Sequence, residues 1–166
     1  MQVWVIADTH FGHENILKFV NNDGSRVRSF CSVEEMDEIM IEKWNARVRT
    51  RDKVYHVGDV VIKKRDLARV MPRLNGNKTL IMGNHDIFDS KEYMKYFKNL
   101  RAFRVWGKAV LSHVPIHPMS LGERFIVNIH GHLHSNSVGD PRYSSVCVEQ
   151  RGYAPVAIED AIKEIR

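Results

Sequence analysis

The sequence has little of what marks secreted, membrane-bound or thiol-based metal proteins. Its only cysteines, Cys31 and Cys147, lie far apart and form no CxxC pair. Two isolated cysteines are typical of reduced thiols, so we expect a cytoplasmic protein without a thiolate metal site. No apolar run approaches the roughly 20 residues that span a bilayer. The first residues show no basic-then-apolar secretory pattern, and we expect no membrane partner.

The chain also lacks internal repeats, low-complexity tracts and linkers rich in proline or glycine. Among 166 residues it has 10 glycines and 5 prolines, and 43% of its residues are hydrophobic. This composition is typical of a folded globular protein and argues against disorder. We therefore predict a single domain over residues 1–166.

Acidic residues are fewer than basic ones, and histidines are frequent. The formal net charge is +5, and the chain has nine histidines. A basic balance favours anionic partners such as phosphates, nucleotides or nucleic acid, although it also serves plain solubility. Charge alone does not separate these two interpretations, so the positions of the histidines matter more.

Hydrophobic spacing predicts strands alternating with helices in the first half of the chain and mainly strands in the second. We predict strands at 2–7, 53–57 and 78–82, and helices after a Ser32–Glu35 capping box, over 64–74 and around 91–97. A hairpin of 100–106 and 108–114 follows, then strands at 125–130 and 145–149 and a closing helix at 158–165. This order predicts an α/β fold with two stacked sheets and helices outside, rather than one doubly wound sheet.

Metal-capable side chains follow the predicted strands. The clusters are Asp8-Thr9-His10, Gly58-Asp59, Asn84-His85-Asp86, Ser112-His113 and Gly131-His132-Leu133-His134. Loops at the carboxyl ends of parallel strands converge, so these clusters could face one cleft.

The residue types in these clusters suit divalent cations and a phosphate substrate. Asp8 and His10 are alternate residues and can point to the same side, as can His132 and His134. Asp59 has two oxygens and could bridge two ions. Two divalent ions outweigh two carboxylates by two positive charges, which would attract a phosphate dianion.

Taken in order, DTH, GD, GNHD, SH and GHLH resemble the signature of the calcineurin-like metallophosphoesterases, which reads D-x-H, G-D, G-N-H-[DE], H and G-H-x-H. The match runs from Asp8 to His134. The chain lacks the GDxxDRG continuation of the protein phosphatases and is more similar to small prokaryotic or viral members. The resemblance implies two stacked mixed β-sheets flanked by helices, a four-layer α-β-β-α sandwich.

The resemblance also implies a dinuclear, metal-dependent phosphoesterase and a role for each residue. One metal ion would be held by Asp8, His10, Asp59 and His134, and the second by Asp59, Asn84, His113 and His132. His85 would contact the phosphate and protonate the leaving oxygen. Mixed histidine and carboxylate ligands suit manganese, iron, nickel, cobalt or zinc. The substrate would be a phosphomonoester or phosphodiester, nucleotide-like or another small molecule, and the oligomeric state stays open.

Further polar residues could line the cleft. His13 and Asn15 follow the first cluster and could contact substrate or cap the loop. The basic run Lys63, Lys64 and Arg65 follows Asp59 and could bind a distal phosphate or a nucleic-acid backbone, unless it is a solvated surface.

Two alternatives belong to other functional classes. One is a catalytically silent protein-interaction module on the same fold, which would be expected to lose metal-site residues or His85. The other is a nucleic-acid-binding module that uses the basic surface without hydrolysis.

Overall fold

The structure is a computed structural model that describes residues 1–163. Its strands are β1 Val3–Ile6, β2 Lys53–His56, β3 Asn77–Ile81, β4 Asn99–Arg101, β5 Phe103–Trp106, β6 Ala109–Ser112, β7 Val127–His130, β8 Tyr143–Ser145 and β9 Val156–Ala157. Its α-helices are α1 Val33–Arg47, α2 Lys64–Val70, α3 Ser90–Tyr93 and α4 Ile158–Lys163. Single turns of 3₁₀-helix lie between them.

These strands form two mixed sheets, as the sequence predicts. Sheet 1 has the order β4-β3-β2-β1-β9, in which β1 to β4 run parallel and β9 antiparallel. Sheet 2 has the order β5-β6-β7-β8, in which only β5 is antiparallel to its neighbour. The parallel arrangement places the carboxyl ends of β1, β2 and β3 at one edge of sheet 1.

The outer face of sheet 1 is covered by α1 and α2. Ser32 caps α1 because its side-chain oxygen accepts a hydrogen bond from the Glu35 amide at 3.1 Å, which confirms half of the predicted capping box. Apolar side chains at helical spacing, such as Met40 and Trp44, then pack in one cluster with Leu80 of β3. Trp44 is fully buried, so its truncation to alanine would cost about 3–5 kcal/mol.

A second apolar cluster holds the two sheets together. Strand alternation sends Val5 and Tyr55 of sheet 1 toward Leu111 and Ile129 of sheet 2, where they pack in one buried cluster. Helix α4 contributes Ile158 to the same cluster. On the other face of sheet 2, Asn128 is buried and its Oδ1 accepts a hydrogen bond from the Ile116 amide.

Several element boundaries differ from the sequence prediction. The predicted strand 100–106 is two strands, because the chain crosses from sheet 1 to sheet 2 between Arg101 and Phe103. The predicted strand 145–149 ends at Ser145 and continues as the 3₁₀ turn Val148–Gln150. The predicted helix 91–97 is only the single turn α3.

Two predicted helices differ at their ends, and one strand is additional. The predicted helix 64–74 ends at Val70 and continues as the 3₁₀ turn Met71–Arg73, which contains Pro72. Of the predicted helix 158–165, the last two residues lie outside the described part of the chain. Strand β9 is too short for a periodic signal. Within residues 1–163, no helix combines the length and apolar character that a membrane crossing requires.

Candidate metal centre

The five polar clusters meet at one edge of the molecule, where the two sheets approach each other. Backbone hydrogen bonds join the sheets there: the Ala7 amide donates to Val146 at 2.9 Å, and the Val146 amide donates to His130 at 2.8 Å. The carboxyl ends of β1, β2 and β3 therefore lie beside those of β6 and β7. All seven residues that the sequence suggests as metal ligands are brought to this edge.

The first group of possible ligands consists of Asp8, His10 and His134. Asp8 Oδ1 lies 3.9 Å from His10 Nε2 and 4.0 Å from His134 Nε2. Both Asp8 Oδ1 and His10 Nε2 are buried, and neither has a hydrogen-bond partner among the described residues. Because buried polar atoms are nearly always paired, these two orphaned atoms indicate a place for a cation.

The other carboxylate oxygen of Asp8 is held by the protein itself. The His132 amide donates to Asp8 Oδ2 at 2.9 Å, and the Cys147 thiol donates to the same oxygen at 3.3 Å. These contacts turn Oδ1 toward the two histidines. No sequence pattern pointed to Cys147 at this position.

The second group of possible ligands consists of Asn84, His113 and His132, and Asp59 lies between it and the first group. Asp59 Oδ2 lies 3.5 Å from His10 Nε2 and 3.4 Å from His113 Nε2, so it stands between the groups. Asn84 Oδ1 lies 2.9 Å from His113 Nε2 and 3.0 Å from His132 Nδ1. Ligand atoms bound at about 2.1 Å to one ion are separated by about 3–3.5 Å, so these distances suit a shared cation.

Backbone and carboxylate acceptors decide which ring nitrogens face the cluster. His113 Nδ1 lies 2.9 Å from the Val57 carbonyl, and His134 Nδ1 lies 2.9 Å from Glu149 Oε1. Both acceptors require a proton on Nδ1, so Nε2 is the nitrogen of each ring that could bind a cation once it carries no proton. Such outward hydrogen bonds are typical of metal-binding histidines.

Electrostatics at the site favour positive charge. Burial alone lowers the pKa of His113, but its hydrogen bond to Asp59 and the charge of Asp8 raise that pKa to about 9. Burial raises the pKa of Asp8 to about 6, against the opposing charges of His113 and His134. Burial also raises the pKa of Asp59, but His113 and the His85 amide outweigh it and hold that pKa at about 2. A divalent cation would satisfy both carboxylates at once.

Backbone strain is concentrated at this edge. Six non-glycine residues among residues 1–163 have a positive φ, and five of them belong to the seven possible ligands: Asp8, His10, Asp59, His132 and His134, with φ between 47° and 72°. Such conformations cost about 1–3 kcal/mol each and persist where the surroundings impose them. These backbone conformations point the alternate side chains of a loop, such as Asp8 and His10, toward the cluster.

Two glycines make room for the buried ligands. Gly58 has a φ of +91°, and a Cβ there would lie 2.3 Å from His113 Nδ1. A Cβ on Gly131 would lie 2.4 Å from Asp8 Oδ2, so the backbone can approach Asp8 this closely only with glycine here. A side chain at either position would push a possible ligand away.

The donor set fits divalent metal ions. Within the described residues, Asp8, His10 and His134 form one group whose donor atoms lie within 4.8 Å of one another, and Asp8, Asp59 and His113 form another. Imidazole nitrogens with carboxylate oxygens are common ligands for first-row divalent metals. These Asp and His clusters could therefore bind metal.

His85 lies beside the cluster but outside both groups. Its backbone amide donates to Asp59 Oδ1 at 2.9 Å, which fixes the residue against a possible ligand. Its side chain is exposed, and the ring centroid lies 5.4 Å from that of His10. The neighbouring Asp86 is buried and accepts the amides of Asp59, Val60 and Gly83, so it orients both loops.

His13 approaches the cluster more closely than Asn15. The His13 ring lies 5.6 Å from that of His10, and its buried Nδ1 has no described hydrogen-bond partner. Burial lowers the pKa of His13, and the charges of Arg28 and His85 act in the same direction. Asn15 is exposed, and its Oδ1 accepts a hydrogen bond from Lys18 Nζ at 3.2 Å.

The basic run after Asp59 is exposed, and most of its charge is paired. Lys63 Nζ lies 3.1 Å from Glu14 Oε1, and Lys64 Nζ lies 3.1 Å from Glu92 Oε1. Arg65 forms no ion pair within the described residues and lines a shallow depression with Glu14. Of the three residues, Lys63 lies nearest to the cluster, because Glu14 directly follows His13 in the chain.

Two functional candidates were not predicted from the sequence. Arg28 has no exposed surface, and its guanidinium contacts Glu149 Oε1 at 2.7 Å and the carbonyls of Asp8 and Thr9. The same Glu149 oxygen accepts a hydrogen bond from His134 Nδ1. The chain Arg28–Glu149–His134 thus fixes one ring and two backbone carbonyls of the site. Arg28 lies in a loop without periodicity, so no sequence signal pointed to it.

Comparisons with known proteins agree with this geometry. The family model for calcineurin-like phosphoesterases matches residues 1–153. The chain is 34% identical to the uncharacterized protein MJ1445 of Methanocaldococcus jannaschii, with 99% of this chain and 91% of that protein covered. A solved structure, the protein of unknown function AQ665 from Aquifex aeolicus, matches with a TM-score of 0.78 and 26% identity and covers 98% of both chains. The chain belongs to the calcineurin-like phosphoesterase family.

Proposed function

We propose that the protein is a metal-dependent phosphoesterase that hydrolyses a phosphate ester at this edge of the sandwich. The observation that carries the proposal is the pair of buried atoms Asp8 Oδ1 and His10 Nε2, which have no hydrogen-bond partner among residues 1–163 and lie inside a ring of further donors. Leaving such atoms unpaired costs about 1–3 kcal/mol each, so their burial needs a functional reason. Family membership supports phosphate esters as the substrate class.

The possible ligands divide between two cation positions. Asp8, His10 and His134 would hold one ion, and Asn84, His113 and His132 the other, with Asp59 between them. When bound, two divalent ions would supply positive charge for the phosphoryl oxygens and make water more acidic. The side chains of the exposed Asn84 and half-buried His132 leave the second position open to substrate.

His85 would act on the leaving group. The hydrogen bond from its backbone amide to Asp59 fixes the backbone, while the exposed ring remains free to reach the ester oxygen. Imidazole exchanges protons near neutral pH, so an N–H of His85 can donate to the departing oxygen. His13 lies on the His10 side of the cluster, where its ring could contact a substrate oxygen.

The substrate would be a small or nucleotide-like phosphate ester. The site is an open edge lined by histidines, and its apolar neighbours such as Ala7 and Val57 are buried beneath it. Such a site can bind the phosphoryl group of the substrate but offers few contacts for the rest of the substrate. Lys63 is the basic residue best placed to meet a distal phosphate, once it releases Glu14.

A hydrolysis panel on purified protein tests the proposal. The protein would be stripped of metal, reloaded with Mn²⁺, Zn²⁺, Co²⁺, Ni²⁺ or Fe²⁺, and assayed on p-nitrophenyl phosphate, bis-p-nitrophenyl phosphate and cyclic nucleotides. We expect no turnover without metal and turnover after reloading. The ratio of monoester to diester rates would define the reaction class.

Two controls separate an enzyme from a silent module. Asp59→Asn should abolish turnover, whereas Asp140→Asn, which changes a carboxylate paired with Arg142 far along the chain, should not. A protein that binds metal but hydrolyses no ester in the panel would contradict the proposal and favour an interaction module. Salt-sensitive nucleic-acid binding without turnover would favour the third alternative.

A further inference from the structure

A second polar concavity lies along the β4 side of sheet 1, from the amino ends of β2 and β3 to Arg101 at the end of β4. It has a volume of about 420 Å³ and lies between β2, β3 and β4 of sheet 1 and β5 of sheet 2. Lys53 begins β2 and precedes Asp59 by six positions, so at roughly 3.3 Å per residue this end of the concavity lies at most about 20 Å from the candidate metal centre. We call it the basic cleft.

The inner face of sheet 1 changes character along its strands. Near the metal centre this face carries apolar side chains such as Ile81, which packs between the sheets. Toward the amino ends, the side chains of Tyr55, Thr79 and Asn99 stand opposite one another on three neighbouring strands. These three line the cleft and offer a row of hydrogen-bonding groups where apolar residues would have closed the sandwich.

The inner face of sheet 2 contributes a cation to the same cleft. Arg104 pairs in register with Leu111, and paired residues of antiparallel strands point to the same face. Leu111 is fully buried between the sheets, so Arg104 also lies on the inner side. Because burying an unpaired charge is costly, the sheets cannot close over Arg104, and the cleft stays open to solvent.

The part of the cleft formed by described residues is cationic. Its described lining includes Lys53, Lys98, Arg101 and Arg104 and no acidic residue. Within residues 1–163, none of these four cations forms an ion pair, whereas the basic residues Lys63 and Lys64 near the metal centre are both paired. Four unpaired cations around one concavity concentrate positive potential there.

We propose that the basic cleft binds a small polyanion with two or more phosphate groups. Its volume is in the range of about 300–1,000 Å³ that holds small molecules, whereas an open groove would suit a long polymer. Arg101 and Arg104 face the ligand from the two sheets and would clamp neighbouring phosphates with charge-assisted hydrogen bonds. Tyr55, Thr79 and Asn99 would accept or donate to the remaining oxygens. This site is independent of the proposed hydrolysis, because it uses none of the metal-site residues.

Calorimetric titration of the full chain with inorganic tripolyphosphate tests the proposal. EDTA in the buffer keeps the metal centre from contributing, so the result does not depend on hydrolysis. We expect saturable 1:1 binding of tripolyphosphate, and ATP should compete for the same site. Arg101→Gln with Arg104→Gln should weaken it by about tenfold or more, since two charge-assisted contacts are lost.

A matched control removes the same charge elsewhere. Arg26→Gln with Arg124→Gln changes two exposed arginines that do not line the cleft, and it should weaken binding less than about twofold. Lys98→Gln should also weaken tripolyphosphate binding, but by less than the Arg101 and Arg104 double variant. Circular dichroism should show that every variant is folded. Equal losses in both double variants, or no saturable binding, would overturn the proposal. So would binding of a single-stranded oligonucleotide without binding of tripolyphosphate or ATP.

Discussion

At the carboxyl ends of β1 and β2 the chain buries polar atoms without partners, whereas at the amino ends of the same strands it pairs them. Asp8 Oδ1 and His10 Nε2 illustrate the first case. Asp52 illustrates the second, because its carboxylate accepts the Gln2 amide at 2.8 Å, the Arg49 amide at 3.0 Å and the Trp4 indole N–H at 3.1 Å. The unpaired charges at that end, in the basic cleft, stay exposed to water.

This difference separates stability from function in one sheet. Paired groups at the amino ends stabilise the fold, while orphaned atoms and positive φ values at the carboxyl ends destabilise it until a cation binds. Among the described residues, the candidate metal centre is where unpartnered buried atoms and positive φ values occur together. The following variants test this division, beginning with the largest expected effect.

His85→Ala should reduce kcat by roughly 10²–10⁴-fold and leave metal binding unchanged, as for other general acids. The reason is that His85 lies beside the cluster but outside both groups of possible ligands. Steady-state rates with p-nitrophenyl and alkyl phosphates, together with metal content, provide the measurement. p-Nitrophenolate is a good leaving group that needs little protonation, so kcat should fall less for p-nitrophenyl phosphate than for alkyl phosphates. Loss of metal from His85→Ala would place this residue among the ligands instead.

Glu149→Gln should weaken metal binding by about 10–100-fold, as other changes behind metal-binding histidines do. The glutamate fixes the proton on His134 Nδ1 and pairs with the fully buried Arg28. Calorimetric titration with Mn²⁺ measures the effect, and circular dichroism checks the fold. Glu92→Gln removes an exposed carboxylate that pairs with two lysines and serves as the control. Equal metal affinity in wild type and Glu149→Gln would show that Glu149 has only a structural role.

Asp8→Asn should stabilise the metal-free protein by about 1–3 kcal/mol at neutral pH and reduce metal affinity. Burial raises the pKa of Asp8, so the charged form destabilises the fold above that pKa. The asparagine oxygen can keep the His132 and Cys147 contacts while its amide faces the histidines. Urea unfolding with EDTA measures the change. If Asp8→Asn instead destabilised the metal-free protein, the Asp8 carboxylate would stabilise the fold as Asp52 does, and the two ends of the strands would not differ.

Asp52→Asn should lower Tm at neutral pH whether or not metal is present. Hydrogen bonds from the Arg49 and Gln2 amides and the Trp4 indole lower the pKa of Asp52 from 3.8 to about 2. Its stabilisation is therefore complete above the unfolded value and is lost as the pH falls toward 2. The Tm difference from wild type, measured by circular dichroism, should shrink between pH 4 and pH 2. A difference that depends on metal would mean that the two ends are coupled.

Much of the candidate site could be predicted because its residues follow strands. A short apolar run predicts a buried strand, and parallel strands bring their carboxyl ends together, so Asp8, Asp59 and Asn84 could be grouped before any distance was known. The split of 100–106 could not be predicted, because β4 and β5 have similar local patterns and only the position of the second sheet separates them. Lys63 and Lys64 follow Asp59 in the chain, but the glutamates that pair with them, Glu14 and Glu92, belong to distant segments that local patterns do not connect.

The sequence by itself determined the type and order of the possible ligands, since side-chain chemistry and local strand propensity are properties of short segments. Only the tertiary structure decided which ring nitrogens are free, because their acceptors, Val57 and Glu149, come from other parts of the chain. It also decided that Arg28, 121 positions from Glu149, would be buried behind His134. Such contacts depend on how two sheets pack, and packing sums many weak interactions that no single segment encodes.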